Sequence, residues 1–156
     1  MASSEVQLVE AIAARIFPTT DTPGAVEAGA VTYIDRALAE AYRPLLPRYR
    51  RGLRELDHYA ESTAGQPFMA LGEVQQDAIL ADLEAGKVPG GAEFFQMVRR
   101  HILEGVFGEP QYGGNRDLVG WRLVGFPGQQ HGYADPYINR IIDVAPVAAG
   151  VPTTGL

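Results

Sequence analysis

Between Pro44 and Gly65, the apolar residues Leu46, Tyr49, Leu53, Leu56 and Ala60 recur at alternating steps of three and four. Only an α-helix places such residues on one stripe. A stripe this regular is the seam of a helix packed on another helix. Gly65 stands where a left-handed residue closes a helix. The chain therefore carries a helix from about Pro44 to Ala64, and its neighbours must present matching stripes. Four do. Val6, Val9, Ala13 and Ile16 mark a first helix, opened by Ser4-Glu5-Val6-Gln7 as a capping box. Pro18 to Gly24 is a connector. Val31, Ile34, Leu38 and Ala41 mark a second helix from about Ala25 to Tyr42, with Glu27, Asp35, Arg36 and Glu40 off the stripe. A fourth, Gly72 to Ala85, presents Val74, Ala78 and Leu83 and stops at Gly86. A fifth, Ala92 to Phe107, presents Phe95, Val98, Ile102 and Val106. The expected fold is all-α: about five helices in an irregular bundle, then a glycine-rich aromatic loop and an extended C-terminal tail.

After Phe107 the pattern changes. Gly108, Gly113, Gly114, Gly120, Gly125, Gly128 and Gly132 fall in one short span with Pro110 and Pro127. Asn115 to Val124 reads as a short helix started by Asn115, with Leu118, Trp121 and Val124 on one side; a short strand is the alternative. One turn of helix is expected at Tyr137 to Ile142. The chain thus divides into a helical body (5–107), a glycine-rich segment (108–135) and a tail (136–156) within one domain. Tyr112, Trp121, Phe126, Tyr133 and Tyr137 are too much aromatic surface to leave in water, so something should cover them.

Apolar residues make up 46% and charged residues 21% of the 156, the balance of a chain that folds. A net charge of −6 repels phosphate backbones and argues against general nucleic-acid binding. No window reaches the roughly 18 apolar residues that a membrane span needs. The absence of cysteine excludes disulfides, thiolate catalysis and Cys-ligated zinc or iron–sulfur centres. Met1 to Glu5 carries neither a basic n-region nor an apolar h-region, so the expected location is periplasmic if a signal was trimmed and cytoplasmic otherwise.

His101 and Glu104, at i and i+3, share a helix side, and His131, Asp117 and Asp135 follow later. A hydrolase or a metal site on these residues lacks HExxH, a second close histidine, or a Ser or Cys nucleophile motif. Glu104 in an apolar helix needs a donor, which Arg116 or the glycine-loop backbone would supply, making His101 and Glu104 braces for the loop. The glycines match neither G-x-G-x-x-G after a strand nor the phosphate-loop pattern, so no cofactor is expected to bind here. Arg43, Arg48, Arg50, Arg51 and Arg54 read as a solvated face, with Arg51–Glu55 and Arg54–Asp57 as local ion pairs; an acidic docking partner is the alternative.

The run from Phe94 to Gly105, then Pro110-Gln111-Tyr112-Gly113-Gly114-Asn115-Arg116-Asp117 and Gly120-Trp121-Arg122-Leu123-Val124-Gly125-Phe126-Pro127-Gly128, resembles the gluconate 2-dehydrogenase subunit 3 family. It carries that family's H-x-L-E-G, Y-G-G-N and G-W-x-L-x-G-[FY]-P-G elements in order. Ile16-Phe17-Pro18, Pro23-Gly24-Ala25 and Tyr33-Ile34-Asp35 also look like the family. The resemblance implies a small, cofactor-free, non-catalytic subunit. Its partner would be a large FAD-containing subunit of glucose–methanol–choline type, in a gluconate 2-dehydrogenase or glucoside 3-dehydrogenase complex. There a sugar hydroxyl gives hydride to FAD and electrons pass to a cytochrome c subunit or another acceptor. The small subunit would assist folding of the partner and, where a twin-arginine signal is present, its export; no such signal is seen here.

Partner contact is then expected at Tyr112, Gly113, Gly114, Asn115, Arg116, Trp121, Phe126 and Pro127, with Trp121 as a plug of the domain's own core as the alternative. A domain that binds a small ligand through the Trp121 loop, or a weak His101/Glu104 hydrolase, are the rival functions.

Overall fold

The structure, a computed structural model, describes residues 1–128. Six α-helices occur among them: α1 (Ser3–Ile16), α2 (Ala30–Ala39), α3 (Leu46–Ala64), α4 (Glu73–Glu84), α5 (Gly91–Phe107) and α6 (Val119–Val124). Short 3-10 turns lie at Arg43–Leu45, Phe68–Ala70, Pro110–Tyr112 and Arg116–Leu118, and no strand is present among the described residues. The expected all-α irregular bundle is what the chain forms. The anticipated turn at Tyr137 to Ile142 and the tail, with Tyr133, His131 and Asp135, lie outside the described residues.

α5 is the axis. It packs against α1, α2, α3, α4 and α6, and its sequence explains why. Phe94, Phe95, Val98, Ile102 and Val106 are all buried and at helical spacing form one broad apolar face, while Gln96, Arg99 and Arg100 stay exposed. On α3 the seam is as expected: Tyr49, Leu53, Leu56 and Ala60 are buried, with Leu46 half-buried at the entry. Tyr49 meets Phe94 edge-on at 6.0 Å. The helix closes at Gly65, whose φ of 74° and N–H bond to the Glu61 carbonyl form the left-handed cap.

Four local expectations need correction. α1 begins at Ser3, so Glu5 and not Gln7 reaches back, its carboxylate accepting from the Ala2 N–H at 2.7 Å. The second helix starts five residues late. Ala25 to Gly29 make a separate turn that ends at Gly29 with φ 71°, and Ala41 lies exposed beyond the helix end. The buried face of α4 is Gln76, Ile79, Leu80 and Leu83. Val74 is 84% exposed and Ala78 is also outside. Leu83 is buried as expected, while Ile79 and Leu80 bury more apolar area than Val74 and Ala78 would, and area decides the orientation. Neither Arg51–Glu55 nor Arg54–Asp57 pairs among the described residues. Asp57 instead accepts the Phe68 N–H at 3.0 Å, and Arg50 reaches Glu5 on α1 at 2.9 Å.

Polar contacts join the helices at the rim. Arg15 of α1 lies 2.9 Å from Glu73 and 2.7 Å from Asp77 of α4, and the Tyr59 hydroxyl of α3 donates to Asp82 of α4 at 2.9 Å. With the carboxylates half-exposed or more, each pair with Arg15 contributes no more than about 1 kcal/mol.

Candidate partner-binding surface

Residues 108–128 fold back across the C-terminal half of α5, and Asn115 is the hub. Its φ of 45° is left-handed, which asparagine tolerates better than most residues. Its side chain is fully buried and satisfied on both ends. Nδ2 donates to the Gly108 carbonyl at 2.9 Å, and Oδ1 accepts from the Gly120 N–H at 2.9 Å and, more weakly, the Trp121 N–H at 3.4 Å. The helix expected from Asn115 begins only at Val119, with Leu118 at its N-cap; Asn115 lies before the intervening 3-10 turn and reaches the first turn of α6 only through its side chain, at the Gly120 and Trp121 N–H groups. Two main-chain bonds complete the docking: Asn115 N–H to the Gly105 carbonyl at 2.7 Å, and Arg116 N–H to the Ala28 carbonyl at 2.9 Å. The latter acceptor exists because Ala25 to Gly29 form a turn and leave that carbonyl to the loop.

Asp117 and Leu118 also have positive φ, 54° and 59°. Such conformations cost on the order of 1 kcal/mol or more each for residues with a Cβ, and they persist where the surroundings over-determine them. They turn the chain so that α6 presents its side chains outward. The Trp121 indole N–H donates to the Phe107 carbonyl at 2.8 Å, and its half-buried ring meets Phe126 edge-on at 4.9 Å. Trp121 is thus neither a core plug nor free.

Six large apolar side chains are exposed among the described residues, and four of them, Tyr112, Leu123, Val124 and Phe126, belong to this segment. Leu123 is not singled out by the sequence, and Val124, expected on the side of Leu118 and Trp121, is exposed while those two are half-buried, because a short helix of uncertain phase does not reveal its outer face. Of the residues expected at a partner contact, Tyr112, Arg116, Phe126 and Pro127 are exposed, whereas Gly113 and Trp121 are half-buried. Gly114 and Asn115 are buried and organise the others from beneath.

His101 and Glu104 take other partners than the loop. Glu104 Oε2 accepts the Tyr33 hydroxyl at 3.0 Å and the Tyr42 hydroxyl at 3.1 Å, while Arg100 lies 3.7 Å from Oε1. Arg116 does not reach it. The bracing passes instead through the α5 backbone carbonyls of Gly105 and Phe107, because the side chains of His101 and Glu104 point toward α2 and α3. Tyr33 and Tyr42 were missed as donors, since only the packed helices bring them to α5. His101 is 1% exposed, shares a 2.7 Å hydrogen bond between Nδ1 and the Tyr49 hydroxyl, and stacks on Tyr42 at 4.6 Å. Burial also raises the Tyr49 and Tyr33 hydroxyls above the ordinary phenol range, so these stay protonated donors.

Burial holds the His101 imidazole below its ordinary pKa, with the Glu104 carboxylate opposing and Arg100 adding to the effect. The folded chain thus binds a proton at His101 less readily than the unfolded chain, whose imidazole titrates near ~6.5. The stability contribution is complete above that pH and is lost as pH falls through the interval down to the folded pKa, at up to about 1.4 kcal/mol per pH unit. Urea midpoints measured at pH 7.5 and 5.5 should fall for the wild type and change less for His101→Gln. Equal slopes for both would show that His101 does not carry the acid sensitivity.

Among the described residues no group of three or more His, Cys, Asp or Glu is placed to hold a metal ion, and no helix is long and apolar enough to cross a membrane. The family model for gluconate 2-dehydrogenase subunit 3 matches residues 3–128. No curated protein and no solved structure gives a significant match.

Proposed function

Because the chain belongs to the gluconate 2-dehydrogenase subunit 3 family, we propose that it is the non-catalytic small subunit of an FAD-dependent sugar or sugar-acid dehydrogenase, stabilising and helping to mature a large flavoprotein subunit of glucose–methanol–choline type. The FAD and the hydride transfer belong to the large subunit, and the electrons leave toward a cytochrome c or similar acceptor. The small subunit shares the compartment of the folded flavoprotein.

The observation that carries this reading is the clustering of exposed Tyr112, Leu123, Val124 and Phe126 on a segment held rigid by Asn115. An apolar patch held in one conformation loses little entropy on docking, which is what a partner-binding surface requires. Arg116 and Arg122 lie between Tyr112 and Leu123 in sequence, are exposed, and have no acceptor among the described residues, which suits a partner with carboxylates. The hydrolase reading finds less support: His101 is buried and bonded to Tyr49, so no substrate reaches it.

Co-expression with a candidate FAD-dependent large subunit of glucose–methanol–choline type tests the proposal. A yellow complex should co-purify and reduce its flavin on addition of sugar, while the flavoprotein expressed alone should aggregate or lack FAD. A flavoprotein that folds, retains FAD and turns over equally well without this chain would refute the assignment.

A further inference from the structure

Between α2 and the Pro110–Tyr112 turn lies a cleft of about 300 Å³ walled by three tyrosines, Tyr33, Tyr42 and Tyr112. Ala37 and Ala41 line it too, and their small side chains leave the space open. Two of the three rings are fixed before anything binds. The hydroxyls of Tyr33 and Tyr42 are tied to Glu104, and Tyr42 is stacked on His101. Tyr112 is 58% exposed on the opposite side of the chain's fold-back, in the segment that carries the exposed apolar residues. Rigid tyrosines offer large amphipathic contact area at small entropic cost, and Tyr with Arg is the composition of interface anchoring sites.

The charges on the cleft narrow the occupant. Arg36 lines it and has no acceptor among the described residues, although Glu40 stands four residues on and lines the same cleft. A Cβ built on Gly113 would meet Arg36 Nη1 at 2.9 Å, so the guanidinium lies directly on the loop backbone. A planar guanidinium so placed is arranged for a carboxylate arriving from outside. Glu40 is exposed and satisfied by water, which a main-chain N–H of the arriving segment can replace.

We propose that this cleft is a socket for one aromatic or aliphatic side chain of the flavoprotein subunit, with a neighbouring Asp or Glu of that subunit pairing with Arg36. The inference rests on the subunit assignment and adds where and by what chemistry the partner anchors. A free small ligand fits less well, because the cleft is formed jointly by the helical body and the segment that carries the docking surface.

The test uses the co-expressed complex, with affinity measured by biolayer interferometry and folding of each variant checked by circular dichroism. Ala41→Trp fills the socket from an exposed position outside the helices, Tyr112→Ala removes one wall, and Arg36→Glu reverses the charge. Loss of a well-packed anchor typically weakens binding about tenfold or more. Ala41→Trp and Tyr112→Ala should each do so with unchanged melting temperatures, and Arg36→Glu should weaken the complex more than Arg36→Ala. Affinities within threefold of wild type for all the variants would overturn the socket while leaving the subunit assignment intact. Absence of any complex with the wild-type chain would overturn both. If Ala41→Trp abolishes self-association of the isolated chain, seen by light scattering, and leaves the complex unchanged, the occupant is a second copy and the proposal fails.

Discussion

Asn115→Ala is expected to detach residues 108–128 from the helical body while leaving that body folded. The change leaves the buried Gly120 N–H without a partner, at about 1–3 kcal/mol, and the part-buried Gly108 carbonyl without its donor, at the lower end of that range. It also asks alanine to hold a φ of 45°, at about 1 kcal/mol more. A combined loss of about 4 kcal/mol exceeds what the bonds at Gly105, Ala28 and Phe107 restore, since those are ordinary hydrogen bonds of about 1 kcal/mol each. No residue of this segment belongs to the buried core of the helical body, and only Val119 packs against it, so the core survives. The single tryptophan, Trp121, lies within the segment and reports on it alone. Trp121 fluorescence should therefore shift at much lower urea than the helical signal at 222 nm, whereas in the wild type the two transitions lie close together. Asn115→Asp keeps the acceptor for Gly120 and loses only the donor to Gly108, so it should fall between. Coincident transitions in Asn115→Ala would remove Asn115 as the hub.

How far the sequence reveals this arrangement differs by element, for physical reasons. α3 and α5 are legible because each is long, bounded by Pro or Gly, and buries a face wide enough to dominate the apolar pattern. α4 is not, since Val74 and Ala78 mimic a stripe at the correct spacing while the greater apolar mass sits at Ile79, Leu80 and Leu83. The start of α2 is hidden because Ala25 and Ala28 are buried as if in a helix, yet lie in a turn closed by Gly29. The exposed aromatic segment is visible from composition alone, as its glycines and aromatics conflict with independent burial. The donors of Glu104 are not visible, because Tyr33 and Tyr42 lie 71 and 62 residues away and only tertiary packing brings their hydroxyls to one oxygen. A carboxylate in an apolar helix announces that donors exist without saying where they are.

The second large effect concerns Gly105, and its sign is the informative part. Replacing a glycine inside an exposed helix by alanine ordinarily stabilises by about 1 kcal/mol, since the unfolded chain loses freedom. Gly105 sits inside α5, yet a Cβ there would stand 2.8 Å from the Ala30 Cα and 3.0 Å from the Ala30 carbonyl oxygen. Backbone atoms cannot rotate aside, so α2 and α5 must separate, and overpacking of this kind costs about 1–3 kcal/mol or more. The same residue supports the loop: a Cβ on Gly114 would lie 2.1 Å from the Gly105 carbonyl oxygen, which accepts the Asn115 N–H at 2.7 Å. Gly105→Ala should therefore lower both the 222 nm and the Trp121 transitions, by about 2 kcal/mol net of the propensity gain. Gly114→Ala should lower only the Trp121 transition and weaken the proposed flavoprotein complex, because it moves residues 108–128 without touching the α2–α5 contact. An increase in thermal midpoint for Gly105→Ala would mean that the close approach of α2 to α5 is not what the glycine provides. Residues 108–128 would then be held over the Gly105 carbonyl by the Asn115 N–H bond alone, without the close helix approach beneath it.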